Sequence, residues 1–155
     1  MDKVLLNKAV AELIGTATLT AAVLAVLGKT SFPFFVAITA GLTLCLMVFV
    51  IGKISGAHIN PAITLGFLSK KAIEPLEAIA YIASQLLGAF LALGLYQFLS
   101  DRVVPRQYAE FDWRFLVSEL AGAFVFGLGV RAAVNQKLSG GTLASAIGLS
   151  LTLGI

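Results

Sequence analysis

The side chains able to do chemistry in this 155-residue chain are few, and the densest group lies in residues 55–68, SGAHINPAITLGFL. Here His58 and Asn60 stand beside Gly56, Ala57, Pro61 and Ala62 in a polar break between apolar runs. Acid–base work by His58 would need a nucleophile in the same stretch, and none accompanies it. No catalytic residue is therefore assigned, and a structural or vestibule-lining role is expected for His58. The chemistry that remains is hydrogen-bond exchange. The Asn60 side-chain amide offers two N–H donors, and the backbone of Gly56, Ala57 and His58 offers carbonyl acceptors. A small neutral molecule leaving water for an apolar passage forfeits roughly 2–7 kcal/mol per unreplaced polar group, which such donors and acceptors restore. Two carboxylates, Glu12 and Glu119, sit inside otherwise apolar runs. Each costs about 2.5–3.5 kcal/mol at a bilayer centre on insertion scales, so both are expected to be functional or partnered. Cys45, the one cysteine, lies in an apolar run and reads as a small buried hydrophobe, with no disulfide, metal site or cofactor implied.

The element that must position Asn60 is a short helix. Asn60 is a preferred N-cap, and Pro61 suits the first helical position, where its missing N–H is no loss. A helix over residues 61–68 would be about 12 Å long, less than half of a hydrocarbon core of roughly 30 Å. A helix stopping at that depth leaves its first N–H groups and the positive end of its dipole facing the interior. Non-helical backbone in the membrane survives only when packed in protein or facing a wet cavity. The break therefore implies a pore.

Composition places the chain in a membrane independently of any motif. Hydrophobic residues make up 59% and charged residues 12%, against about 25% charge in a soluble domain. The eleven Lys and Arg are scattered singly or in pairs, which builds no basic stripe for nucleic acid. After a short polar lead, apolar spans are expected at about 9–28, 34–52, 76–99 and 113–130, with a fifth from about 140 still in progress at Ile155. The first is read as a retained helix rather than a signal peptide, because it is long, contains Glu12 and is followed by more spans. Tyr81 and Tyr96 near the ends of the third span, and Trp113 opening the fourth, are expected at the membrane interfaces. With a cytoplasmic N-terminus, seven basic residues (Lys3, Lys8, Lys53, Lys70, Lys71, Arg131, Lys137) fall inside and four (Lys29, Arg102, Arg106, Arg114) outside. The positive-inside rule supports that orientation.

The chain also repeats. AELIG at residues 11–15 resembles SELAG at 118–122, and GLTL at 41–44 resembles GLSL at 148–151, both pairs 107 residues apart (15 to 122, 41 to 148). A unit of three full spans is odd in number, so its copy runs the other way up, which is the inverted-repeat plan with a site at the midplane. Residues 1–155 are thus read as one channel domain, C-terminally incomplete. The first repeat covers about 1–107 with its loop at 55–68, and the second starts over about 108–155.

Asn60, Pro61 and Ala62 within SGAHINPAITLG, together with Glu12, Glu119, the repeat and the span order, resemble the aquaporin and glycerol-facilitator family, the major intrinsic proteins. The resemblance implies an all-α polytopic bundle of six spans and two half-helices meeting at mid-membrane, of which this chain supplies five spans and one half-helix. It implies a plasma-membrane channel for water or small neutral solutes such as glycerol, embedded in the lipid bilayer and homotetrameric when full length. It implies that Glu12 and Glu119 brace the re-entrant loops by accepting backbone N–H bonds. The family's filter positions fall on Ala40 and Ile155; both depart from the residues usual in strict water channels, which suggests a wider, less polar filter. The second half-helix motif would lie beyond Ile155. The 155-residue chain is accordingly expected to be a shortened product that conducts poorly alone, with a non-conducting scaffold that assembles with full-length channels as the alternative. A secondary transporter with a broken helix is disfavoured by the lack of any Asp or Glu between Ile54 and Ser69.

Overall fold

The computed structural model describes residues 2–30, 32–100 and 112–155. Among these the order is α1 (Lys3–Leu27), α2 (Pro33–Ser55), α3 (Pro61–Ser69), α4 (Pro75–Ser100), α5 (Trp113–Asn135) and α6 (Gly140–Gly154). α1, α2, α4 and α5 are each long and apolar enough to cross a membrane. α6, with 15 residues, is about 22 Å long. Among the described residues every regular element is a helix, and the set makes the multi-pass helical bundle expected from the sequence.

Local chemistry sets the ends of the helices. Asp2 caps α1 by accepting from Val4 N, so the helix begins at Lys3, well before the apolar span that starts near Ala9. Pro33 occupies the first turn of α2, and Asp112 caps α5 by accepting from Arg114 N at 2.9 Å. α2 runs three residues past Gly52 and carries Lys53 in its last turn, while α5 runs past Arg131 to Asn135. A long basic side chain can reach water from inside a helical end, so charge marks the interface and not the last helical residue.

The helices pack as α1 on α4, α2 on α6, α1 on α2, α5 on α6 and α3 on α4. In lipid there is no hydrophobic drive to bring two helices together, so close backbone approach over small residues must do it. A Cβ placed on Gly88 of α4 would lie 2.4 Å from the Leu13 carbonyl oxygen of α1. One on Gly148 of α6 would lie 2.4 Å from the Gly41 carbonyl oxygen of α2, and one on Gly122 of α5 only 2.0 Å from that of Gly154. Leu44, Met47, Val48 and Ile51 of α2 then meet Phe126 and Val130 of α5 and Ile147 of α6 in a common apolar core that also takes in Ala57 and Ile59.

These contacts predict opposite outcomes for two glycines of α4. Gly88→Val, whose side chain has backbone and not a movable neighbour in its way, should destabilise the purified chain by about 1–3 kcal/mol or more, read as a lower melting temperature in detergent. At Gly94, where a Cβ meets nothing within 4 Å, Gly94→Ala should leave the melting temperature unchanged or raise it.

Candidate functional site

α2 stops at Ser55 because Gly56 takes a left-handed conformation (φ 87°), its N–H still bonding to the Gly52 carbonyl. Ala57 and Ile59 follow, both at φ 51°. Side chains at positive φ cost about 1–2 kcal/mol each, so something outside the loop must hold them there. That something is Glu12, which is 0% exposed in the middle of α1. Its Oε1 accepts from Ser55 Oγ at 2.6 Å and His58 N at 3.0 Å. Its Oε2 accepts from Ile59 N at 2.7 Å and from Gln85 Nε2 of α4 at 2.8 Å. All four partners are donors, the set that satisfies an ionised carboxylate. Ser55 Oγ also accepts from Ala57 N at 3.1 Å, and the Ser55 carbonyl accepts from Tyr81 Oη at 2.6 Å.

The amides of Ala57, His58 and Ile59 are thus all turned into the protein, which fixes the opposite side of the loop. In a planar trans peptide the N–H and the preceding C=O point opposite ways, and no peptide bond in the described residues is cis. The carbonyls of Gly56, Ala57 and His58 therefore point away from Glu12 in succession, and none of them accepts a hydrogen bond among the described residues. Gly56 is exposed, while Ala57 and His58 are buried.

Asn60 ends the row. Its Oδ1 accepts from Ala62 N at 2.7 Å and its carbonyl from Thr64 N at 3.0 Å, with Pro61 in the first turn of α3. Capping demands an acceptor, so it settles the orientation of the amide: oxygen toward the helix, Nδ2 with both hydrogens away from it. Asn60 and Pro61 are half-buried and Ala62 is exposed. The nine residues of α3 span about 14 Å, and the positive end of the helix dipole lies at Asn60.

His58 is clamped in place. It stacks on Phe67 with centroids 4.5 Å apart and meets Tyr81 edge-on at 5.2 Å, and its Nδ1 lies 3.2 Å from Thr64 Oγ1. Thr64, also 0% exposed, donates its hydroxyl to the Asn60 carbonyl at 3.1 Å and accepts from Gln85 Nε2 at 3.1 Å. With that hydroxyl hydrogen committed, the proton of the imidazole belongs on Nδ1.

The structure brings Glu12, Gly56, Ala57, His58, Asn60, Pro61 and Ala62 into this one assembly. Ala40 is buried on α2, beside Gly41, where a Cβ would run into Thr152 and Gly148 of α6; Ile155 is exposed, three residues beyond Thr152. No hydrogen bond among the described residues ties either to the loop. Glu119 is exposed on α5 and has no hydrogen bond or ion pair among the described residues.

Four members escaped the sequence reading: Ser55, Thr64, Tyr81 and Gln85. Tyr81, expected at an interface, is 0% exposed, and its hydroxyl is spent on the Ser55 carbonyl. The available signal for Gln85 was an amide far from either end of an apolar span, which needs a partner in lipid. Among the described residues no three His, Cys, Asp or Glu side chains come together as a metal-binding group.

A family model described as Major intrinsic protein matches residues 2–155. The chain is 36% identical over 128 residues to the lens fiber major intrinsic protein of Oryctolagus cuniculus, covering 77% of this chain and 49% of that protein. It is 33% identical to aquaporin-1 of Mus musculus over 77% of this chain and 48% of that protein. Against a probable aquaporin NIP-type of Nicotiana alata it is 31% identical over 98% of this chain and 60% of that protein. The chain therefore spans about half the length of the first curated relatives it matches. A braced loop, a capped half-length helix and a family match over almost every residue agree: the chain belongs to the major intrinsic protein family, the family of the aquaporins.

Proposed function

We propose that residues 56–62 form one half of the solute-handling surface of a conduit for water or small neutral solutes such as glycerol. The observation that carries this is the row of carbonyls from Gly56, Ala57 and His58, aimed away from Glu12 and ending at the Asn60 amide N–H groups. A molecule moving along it accepts from Asn60 and donates to the carbonyls, so the hydration it sheds is replaced step by step. The positive end of α3 raises the energy of a cation at Asn60, so neutral solutes are favoured over protons and other cations. In this reading Ala40 and Ile155 are filter positions, and Glu12 is a positioning carboxylate with Glu119 as its counterpart in a second repeat starting near residue 108. Support for the repeat comes from α2 and α6, which carry the matching GLTL and GLSL and meet at Gly41 and Gly148. An element that touches its own copy at matching positions lies on the axis relating the two. The channel would sit in the plasma membrane with its N-terminus cytoplasmic, and the homotetramer belongs to the full-length form.

The test is osmotic stopped-flow on proteoliposomes holding the chain alone and, in parallel, the chain together with a full-length family member. Water or glycerol permeability should exceed that of empty liposomes in at least one preparation. Asn60→Asp keeps the capping oxygen but replaces the donors with charge, and should cut that permeability by about tenfold, equivalent to about 1.4 kcal/mol on the barrier. Permeability indifferent to this substitution in both preparations overturns the proposal.

Glu119, exposed on α5 and without a hydrogen bond or ion pair among the described residues, favours a second reading, in which the chain is a non-conducting scaffold that assembles with a longer relative. Co-purification with that relative, without any Asn60-dependent change in flux, would support it.

The bracing carboxylate makes a separate prediction. Glu12→Gln has nearly the same shape but turns one acceptor into a donor that faces donors. At least two of its four hydrogen bonds should be lost, for a destabilisation of about 2–5 kcal/mol measured by thermal unfolding in detergent. Gln85→Leu removes the bonds to Glu12 Oε2 and Thr64 Oγ1 but leaves the carboxylate its other three donors and sets no donor against a donor, so it should cost less.

A further inference from the structure

α1 and α4 touch backbone to backbone at Leu13 and Gly88 and end together near Gly28 and Ser100. Between the contact and those ends the facing side chains include Ala21, Ala25 and Ala92, too short to fill the space between two helices leaving a close crossing. A cleft of about 520 Å³ opens there, inside the range of about 300–1,000 Å³ usual for small-molecule sites. Leu95 and Leu99 complete its apolar walls, while Lys29, Tyr96 and Ser100 line its outer end. Lys29 follows the last residue of α1 by two positions and is exposed, so the charge sits where the two spans meet the membrane surface.

An occupant must therefore be apolar over most of its length, anionic at one end, and able to enter from the bilayer. A free anion would leave the alanine wall uncovered, and a neutral polar solute would match neither end. We propose that the α1–α4 cleft is a binding site for an anionic glycerophospholipid, with an acyl chain along Ala21, Ala25 and Ala92 and the phosphate at Lys29 beside the Tyr96 hydroxyl. Lysine at this depth attracts anionic headgroups, and a tyrosine hydroxyl at the interface donates to them.

The test is native mass spectrometry of the whole chain in mild detergent with equal amounts of phosphatidylglycerol and phosphatidylcholine. The chain should retain phosphatidylglycerol in preference. Lys29→Ala should weaken that retention by about fivefold without affecting phosphatidylcholine. Ala25→Phe, which fills the cleft, should abolish the retained lipid. Lys53→Ala, at the end of α2, should change nothing. Helicity by circular dichroism checks that each variant is folded, and Ala21→Leu replaces Ala25→Phe if the latter is not. Equal retention of the two lipids, retention of phosphatidylglycerol unchanged in Lys29→Ala, or lipid still held by the cleft-filling variant overturns the proposal. So does loss of a chain–chain dimer instead of a lipid in Ala25→Phe, which would assign the cleft to a second copy.

Discussion

A carboxylate with no exposed surface is the costliest group in the bundle, and the loop is built around making it tolerable. Glu12 needs four donors; two are the amides of His58 and Ile59, which face it only because Ala57 and Ile59 accept positive φ. The strained backbone in turn persists only because the carboxylate holds it. Neither half of this arrangement is stable without the other, so the loop behaves as one unit. Gln85 and Tyr81 extend it to α4, and Ser55 fastens it to the end of α2. Below it, the Lys8–Glu77 ion pair at 2.9 Å joins α1 to α4 again.

Close helix contacts set the frame for that unit. Glycine pairs decide where α2 and α5 meet α6, and a single glycine, Gly88, lets α4 approach the α1 backbone at Leu13, so the helices register by backbone shape. α3 is held differently: it packs on α4, and its first turn is fixed by the Asn60 cap and by the Thr64 bonds to Asn60 and Gln85. A helix too short to cross is thereby held by polar contacts at its N-terminal end, of which the Gln85–Thr64 bond is buried and so strengthened by its dry surrounding, while the Asn60 cap is exposed.

What the sequence made legible follows from the range of each interaction. The α3 start was readable because an Asn–Pro cap is local chemistry, complete within three residues. Glu12 stood out as a charge in an apolar run, but its donors lie 43 to 73 residues away in sequence, and spacing alone cannot pair such groups. Tyr81 was misplaced because the rule for aromatic residues near span ends concerns lipid-facing positions, and this one faces the bundle. Thr64 and Gln85 were overlooked because their roles exist only after α3 docks on α4. Glu119 shares its local motif with Glu12 and is exposed on α5; the motif names the residue type and leaves its partners open.

The bracing of the loop runs through main-chain amides, and that has an evolutionary consequence. Because His58 N and Ile59 N belong to the main chain, replacements other than proline at these positions leave the tether to Glu12 chemically intact as long as positive φ is tolerated at 57 and 59. The curve of the backbone is thereby tied to main-chain groups and not to the particular side chains at 58 and 59, so descendants of one ancestral loop can repack those side chains while inheriting the same trace.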